Sequence, residues 1–218
     1  RGLGDVYKRQ NFGIDALRPA RGALRQGVIF DLDARQAIER LAAAAGKDIR
    51  EASVRELQRR FQVDTEQAGR VEAVALSLLD DIGPGTAGEA RRELRWAAAL
   101  HESGMMISHH DHHRHSAYVL SHVDAPGFSQ SQLRRIGDLV LGQRGGLRKL
   151  EARLQEATFA LHLLCLRLAV IVCHARGDVE PGEIALVGDA GQPRLAPTPG
   201  WADTHPRALH LLREEVEA

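Results

Sequence analysis

The sequence predicts a mainly α-helical fold, a helical bundle followed by a small α+β unit. Two properties of the composition favour helices: 44% of the 218 residues are hydrophobic, yet aromatic residues make up only 4%. A core built from leucine, alanine and valine packs more readily as helices than as a sheet sandwich. The third observation is a change of pattern beyond residue 176, where the spacing of apolar residues shifts from that of helices to that of strands.

The charge balance argues against a protein whose main activity is to coat nucleic acid. Lys and Arg together number 29, as do Asp and Glu, so the formal net charge is zero. The charge is nonetheless uneven, because residues 129–176 have five more basic than acidic side chains and residues 177–218 have five fewer. We find no signal peptide and no uninterrupted apolar run of membrane-spanning length, and we therefore expect a cytoplasmic protein without a membrane span.

Four segments are expected along the chain. Residues 1–10 show no periodicity and resemble translated sequencing-adapter read-through, so we interpret them as a non-native leader. Residues 11–49 are predicted to form a linker helix, and residues 50–176 the helical domain. Residues 177–218 are predicted to form the small α+β unit. Its last helix has no stop signal, so this unit is expected to be truncated.

Capping signals predict three helix starts within the helical domain. At such a start, a side-chain oxygen satisfies a free backbone amide, and a Glu or Gln three residues later completes the box. The three pairs are Ser53 with Glu56, Asp64 with Gln67, and Ser129 with Gln132.

The other elements are predicted from apolar spacing. One helix is expected over residues 87–102, and another begins within the histidine-rich segment. The longest helix is expected over residues 147–174. Trp96 and the apolar run at 105–107 are predicted to lie in the core.

The C-terminal unit is predicted to be a hairpin followed by a helix. Residues 184–187 and 194–196 are expected to pair as strands across a glycine-containing turn. Trp201 is expected to anchor the hairpin to a final helix that has Pro206 in its first turn.

A dense histidine cluster is the first candidate for chemistry. Seven of the eleven histidines fall between His101 and His122, five of them within residues 109–115. Imidazoles and carboxylates are the usual ligands of zinc and similar metals, so His101, Glu102 and His109 are candidate metal ligands. The sequence lacks a His-Glu-x-x-His motif. The alternative is a polar loop whose imidazoles cap helix ends and hydrogen-bond one another.

Four runs resemble, in order and spacing, the C-terminal helical domain of the exopolyphosphatase and guanosine pentaphosphate phosphatase family: 94–102, 107–109, 113–118 and 124–129. The resemblance covers residues 11–218. It implies an HD-domain-like helical bundle and a chain without catalytic residues of its own. Catalysis in the family belongs to an actin-like N-terminal half, with a divalent metal such as magnesium expected for the full-length enzyme.

The resemblance also implies a degenerate metal site. The family's helical domain is related to metal-dependent HD phosphohydrolases, whose metal is held by an early His, a His-Asp pair and a late Asp. The matching positions here are Gln67, His101 with Glu102, and Val170. Since only one of the four ligands is kept, this portion is expected to bind no cofactor, and His101 is expected to be a hydrogen-bonded structural residue.

Basic residues are the candidate binding surface. Polyphosphate is a linear polyanion, and guanidinium groups match phosphate oxygens in pairs. Our hypothesis is a polyphosphate channel formed by six residues: Arg114, Arg144, Arg148, Lys149, His113 and His115. Arg134 and Arg135 belong to the same basic segment. The alternative is that these charges only solvate helix surfaces.

The sequence therefore predicts the C-terminal portion of an exopolyphosphatase, which releases terminal phosphate from inorganic polyphosphate. This portion is predicted to bind the polyanion and to support subunit contacts in a homodimer. Guanosine pentaphosphate is the alternative substrate, and no specific nucleic-acid partner is expected. Two other interpretations stay open: a non-enzymatic regulatory or nucleotide-binding helical module, and a metal-dependent HD-type phosphohydrolase that uses the histidine cluster.

Overall fold

The computed structural model describes residues 25–29, 32–33, 48–83, 88–180, 182–188 and 192–217. The chain divides into two units, Arg1–Lys47 and Asp48–Ala218. In the first unit, the described residues 25–29 and 32–33 are helical and exposed. The predicted leader and the rest of the predicted linker helix lie outside the described residues.

Helices make up most of the second unit. In chain order they are α1 (Ile49–Arg60), α2 (Thr65–Ile82), α3 (Glu89–Leu100), α4 (His112–His122), α5 (Gln130–Gly142), α6 (Glu151–Leu154), α7 (Ala157–Val172), α8 (Trp201–Thr204) and α9 (Pro206–Glu217). Short 3-10 turns precede α6 (Arg148–Leu150) and follow α7 (Cys173–Ala175). Strands β1 (Ile184–Val187) and β2 (Arg194–Pro197) pair antiparallel before α8. The predicted fold class, mainly α followed by a small α+β unit, is confirmed.

Two of the three predicted helix starts are confirmed by the geometry of their caps. The Asp64 carboxylate accepts hydrogen bonds from the amides of Glu66 and Gln67 at the start of α2. Ser129 and Gln132 form a complete capping box at the start of α5. In both places, local side-chain chemistry satisfies amides that have no partner within the helix.

The third predicted start, at Ser53, is wrong. Helix α1 begins at Ile49, and its cap is Asp48, whose carboxylate accepts from the Arg50 amide at 3.0 Å. The Ser53 hydroxyl instead donates to the Pro126 carbonyl at 2.7 Å. This serine therefore ties α1 to the turn before α5.

Helix α2 lies at the centre of the core and packs against α3, α7 and β1. Its apolar face, formed by Val71, Ala75, Leu78 and Leu79, is completely buried. Complete burial of one leucine side chain contributes about 1.5–3 kcal/mol, so this face contributes strongly to holding the unit together.

Of the two predictions for core residues, the one for Trp96 is confirmed and the one for residues 105–107 is wrong in part. Trp96 on α3 is buried, as predicted, and Phe128 meets its ring edge-on with 4.8 Å between the centroids. The prediction that residues 105–107 lie in the core is wrong for Met106 and Ile107, which are 57% and 55% exposed. They lie in the turn after α3, where no helical periodicity carries them inward.

The long helix predicted over residues 147–174 is interrupted before Ala157. Glu156 adopts an extended backbone conformation, with φ −88° and ψ 109°. Its carboxylate accepts a hydrogen bond from Arg135 of α5 at 2.5 Å. No Gly or Pro lies nearby in the sequence, so no local signal predicts this break.

The apolar stretch Ala157–Ala175 is long and apolar enough to cross a membrane by length and composition alone. In the fold, 56% of its most apolar 18-residue stretch is buried inside the protein. It packs against α2, α3 and α5, which accounts for its apolar composition.

The C-terminal hairpin is hydrogen-bonded to the bundle through β1. The Leu186 amide of β1 donates to Asp81 of α2 at 2.9 Å. Trp201 of α8 is buried and stacks on His205, with 4.8 Å between the ring centroids. That this tryptophan anchors the hairpin to the final helix stays a prediction, which its membership of the same core cluster as Ile184 and Leu212 favours.

Candidate functional site

A cavity of about 600 Å³ lies among α2, α7, α9 and the turns that follow α3 and α5. This volume falls within the range of about 300–1,000 Å³ that is usual for small-molecule sites. Its polar lining comprises Gln67, His101, Glu102, His109, His112, Gln143, Arg144, Arg167, His174, Arg176, Glu214 and Glu215. Its apolar lining comprises Met105, Val170, Ile171 and Leu211.

All four positions matched to HD metal ligands line this one cavity. Gln67 lies in the first turn of α2, His101 and Glu102 follow α3, and Val170 lies on α7. The fold therefore brings together residues as far apart in the sequence as Gln67 and Val170, as the resemblance implies.

These residues do not fit a metal ion. Val170 has no ligand atom, and the Gln67 amide nitrogen donates to the Cys173 carbonyl at 2.7 Å. Glu102 accepts a hydrogen bond from Arg176 at 2.7 Å, while the His101 Nε2 lies 3.9 Å from the same carboxylate oxygen. Within the described ranges, no three His, Cys, Asp or Glu side chains form a metal-binding group.

The guanidinium of Arg176 lies between the carboxylates of Asp64 and Glu102. Arg176 donates through Nη2 to Glu102 and through Nη1 to Asp64, each at 2.7 Å. Burial raises the pKa of Glu102, and the charge of Arg176 opposes that rise. The backbone φ of Arg176 is +56°, a left-handed conformation that arginine seldom adopts. The contacts of the Arg176 side chain with Asp64 and Glu102 thus offset the strain of its backbone.

His101 is a buried, hydrogen-bonded residue. Its Nδ1 lies 2.7 Å from the Ala98 carbonyl, and burial lowers its pKa to about 4. Its own carbonyl accepts from the Ser116 hydroxyl at 3.0 Å and from the Gln143 amide at 2.8 Å. The imidazole is therefore neutral at pH 7, and the turn that carries it is fixed from two sides.

The histidine-rich helix α4 approaches this turn closely at Gly104. A Cβ atom at this position would collide with the His112 carbonyl and the Ser116 amide. The Ser116 hydroxyl also accepts from the Gly104 amide at 2.7 Å. Only glycine permits this close approach, which places His112 at the cavity.

Among the six residues of the predicted channel, Arg144 lines the cavity. It is exposed and makes no hydrogen bond or ion pair with any residue that the structure describes. Arg148 and Lys149 are exposed in the 3-10 turn just beyond it and do not line the cavity. We call residues 144–149 the basic loop.

The other three predicted channel residues lie on α4, and none of them lines the cavity. His113 is buried, and burial lowers its pKa. Arg114 is exposed and pairs with Asp111 at 3.2 Å, while His115 is half-buried.

The two remaining basic candidates on α5 also lie away from the cavity. Arg135 is held by Glu93 at 2.7 Å and by Glu156 at 2.5 Å, which assigns it to the packing of α5. Arg134 is exposed on the same helix.

Sequence reasoning did not assign roles to Arg167, Arg176 and Gln143. Arg167 is buried on α7 and donates to the Gly142 and Gly145 carbonyls at 2.5 and 3.0 Å. Its other nitrogens bind the Glu215 carboxylate at 2.6 Å. One signal was present, because an arginine inside an otherwise apolar helix must find partners for its charge.

Comparison with known proteins identifies a matching family model and two similar proteins. Residues 49–216 match the family model described as Ppx/GppA phosphatase, domain III. A guanosine-5'-triphosphate,3'-diphosphate pyrophosphatase of Aeromonas hydrophila is 30% identical over 215 residues, which cover 95% of this chain and 42% of that protein. The protein of the same name from Pseudoalteromonas translucida is 31% identical over 214 residues, or 94% and 41%. The chain spans about two fifths of the length of these curated relatives. It belongs to the Ppx/GppA phosphatase family, and residues 49–216 correspond to domain III.

Proposed function

We propose that this chain is the C-terminal portion of a cytoplasmic phosphohydrolase that removes terminal phosphate from inorganic polyphosphate. Membership of the phosphatase family supports the reaction class. Guanosine pentaphosphate is the second candidate substrate, which the names of the two relatives favour. The bond-breaking chemistry, with a divalent metal such as magnesium, is assigned to the actin-like half that the family resemblance implies. The metal-dependent HD-type alternative is not supported, because the donor set does not fit a metal.

The role proposed for this portion is to hold the phosphate groups of the substrate at the basic loop. The observation that carries it is the state of Arg144, which is exposed and unpaired among the described residues. Most arginines around the cavity are held by carboxylates, as Arg167 and Arg176 are. A free guanidinium beside Arg148 and Lys149 can donate to successive phosphates of a chain.

A homodimer is part of the same proposal. Residues 129–176 have an excess of basic side chains and residues 177–218 an excess of acidic ones. Exposed charges of opposite sign in these two segments favour association of two copies, and the association weakens as salt rises.

The test is binding of long-chain polyphosphate to the 218-residue chain across a range of salt concentrations. Replacing two charges, Arg144→Glu with Arg148→Glu, is expected to weaken binding at least tenfold at low salt and to flatten its salt dependence. A matched control, Arg55→Glu with Arg60→Glu, changes the same number of exposed charges on α1, away from the cavity lining. It is expected to have a much smaller effect. Equal losses in the two variants, or no loss in either, would contradict the proposed role.

A further inference from the structure

A buried arginine of α7 holds the backbone on both sides of Arg144. Arg167 donates through Nη1 to the carbonyls of Gly142 and Gly145, at 2.5 and 3.0 Å. In the chain, the first of these carbonyls lies two residues before Arg144 and the second lies one residue after it. One nitrogen atom therefore fixes the stretch of backbone that carries the exposed Arg144.

The basic loop lies between two points that are fixed by packing. A Cβ atom on Gly142 would lie 2.6 Å from Leu163 and 2.8 Å from Leu150, so α5 ends in direct contact with both side chains. Leu150, just beyond the loop, is itself buried. Gly145, between these points, has a φ of +77°, which favours glycine. Its carbonyl is the place where Arg167 binds the loop itself.

Glu215 of α9 sets the direction of this arginine. Its two carboxylate oxygens accept from Nε and Nη2 of Arg167, each at 2.6 Å. Because a guanidinium is planar and rigid, binding one edge in this way fixes where the remaining nitrogen, Nη1, points. The Arg167 side chain is only 8% exposed, so bulk water competes little for these donors.

We propose that Arg167 is a positioning residue for phosphate binding at the basic loop, and that Glu215 is its orienting partner. Arg144 binds the phosphate, Arg167 holds the backbone that carries Arg144, and Glu215 directs Arg167. This assignment rests on the proposed function. It makes the affinity for a polyanion depend on a carboxylate of α9.

The sign of the effect separates this role from simple electrostatics. Loss of a carboxylate near a polyanion reduces repulsion, so Coulomb's law alone predicts tighter polyphosphate binding by Glu215→Gln. Loss of orientation predicts weaker binding instead. A glutamine has one acceptor oxygen in place of two, and its amide group cannot accept from the second nitrogen of the guanidinium.

The experiment is titration of the 218-residue chain with long-chain polyphosphate at low salt. Glu215→Gln is expected to weaken binding at least threefold. Glu214→Gln is the matched control, because it removes the same charge from the neighbouring residue, which is 61% exposed and pairs with the exposed His210. It is expected to leave the affinity unchanged or to raise it slightly. Thermal unfolding checks that each variant is folded at the assay temperature.

A double-mutant cycle tests whether Glu215 acts through Arg144. In an Arg144→Ala chain, the further change Glu215→Gln is expected to alter the affinity by less than about 1.5-fold, because the residue through which it acts is gone. A general structural effect would reduce the affinity equally in both chains. Arg167→Lys keeps the charge without the planar fork, and it is expected to behave like Glu215→Gln if that variant does not fold.

Limited trypsin cleavage measures the position of the loop without any ligand. Cleavage after Arg144 is expected to be at least fivefold faster in Glu215→Gln than in the parent chain. Cleavage after Arg55 of α1 is the internal control and is expected to keep its rate.

Failure of this assignment differs from failure of the proposed function. If the parent chain binds polyphosphate but Glu215→Gln binds it equally well or better, the positioning role is overturned and the proposed function stands. An undiminished effect in the Arg144→Ala chain, or unchanged cleavage after Arg144, also overturns the positioning role. If the parent chain binds no polyphosphate, the proposed function fails and the positioning role fails with it.

Discussion

Arg176 illustrates how much of this site depends on single residues placed far apart in the sequence. Its guanidinium joins Asp64 at the start of α2 to Glu102 after α3, over 112 and 74 positions of sequence. The pair with Glu102 provides a countercharge to a carboxylate that is only 8% exposed. An unpaired carboxylate at this depth would be strongly destabilising.

At the residue scale, the buried His101 makes the stability of the domain depend on pH. Its pKa is about 4 in the folded chain, against about 6.5 in an unfolded one. Below pH 6.5 the unfolded state therefore binds a proton that the folded state does not. The stability that neutral His101 contributes is fully present above pH 6.5 and is lost as the pH falls towards 4, by about 3 kcal/mol in total.

Urea unfolding at pH 7.5 and pH 5 measures this effect. The free energy of unfolding is expected to fall by about 2 kcal/mol more in the parent chain than in His101→Asn. His112 and His174 act in the same direction as His101, whereas burial raises the pKa of Glu102 and acts against it. The comparison between the two chains isolates His101. Parallel pH profiles would show that its burial is not the cause.

Only part of the cavity lining could be predicted from the sequence, because the role of an arginine depends on its partners in the fold. Arg144 was among the predicted binding residues because local charge is visible in a sequence. The roles of Arg167 and Arg176 were missed because each depends on its carboxylate partner, and Glu215 lies 48 residues from Arg167. Which arginine is free is decided by tertiary pairing, and no local pattern records it.

At the scale of elements, helix starts were predictable where the cap is local. Asp64 and Ser129 bind amides within three residues, so the sequence alone predicts both starts. Ser53 has the same signature, but its hydroxyl reaches Pro126, which is 73 residues away. Glu156, at the break before Ala157, likewise has a distant partner, Arg135 of α5. A capping pattern therefore predicts a helix start correctly unless the capping side chain binds an acceptor elsewhere in the fold.

One largely buried ion pair joins α9 to α7, in addition to the apolar contacts of Ala208 and Leu212. Glu215 is the partner of Arg167, whose side chain is only 8% exposed. Glu215→Ala leaves that guanidinium with the Gly142 and Gly145 carbonyls alone, and we expect a loss of about 2–3 kcal/mol in the free energy of unfolding. Hydrogen exchange is expected to accelerate in α9 more than in α2.

The neighbouring residue supplies the control for this prediction. Glu214 is 61% exposed, and its one ion pair with a residue that the structure describes is with the exposed His210. Glu214→Ala is therefore expected to change stability by less than about 0.5 kcal/mol. If the two alanine variants behave alike, the buried pair is not what holds the helix.

At the scale of the whole molecule, the described core lies within one unit. Its buried apolar residues run from Val54 to Leu212, all beyond the boundary at Asp48. Composition predicted this kind of core correctly, because few aromatic residues and many aliphatic ones favour packed helices. The pairing of the helices was not predictable, since apolar periodicity shows which face is buried and not which neighbour covers it.

A chain that begins at Asp48 is expected to fold by itself. It keeps the cap of α1 and the whole described core. Thermal unfolding should remain a single transition, with a midpoint within about 2 °C of that of the 218-residue chain. A lower midpoint or a broad transition would show that residues 1–47 contribute to the stability of the second unit.

The guanidinium of Arg176 has a consequence for how this domain depends on its surroundings. A bound metal ion is drawn from a cellular pool, and a site can lose it to a chelator or take up a competing metal of higher affinity. Arg176 is made with the chain, and its charge persists across the physiological pH range. The acidic side of the cavity therefore acquires its countercharge during folding, in a fixed ratio of one per chain and independently of metal supply.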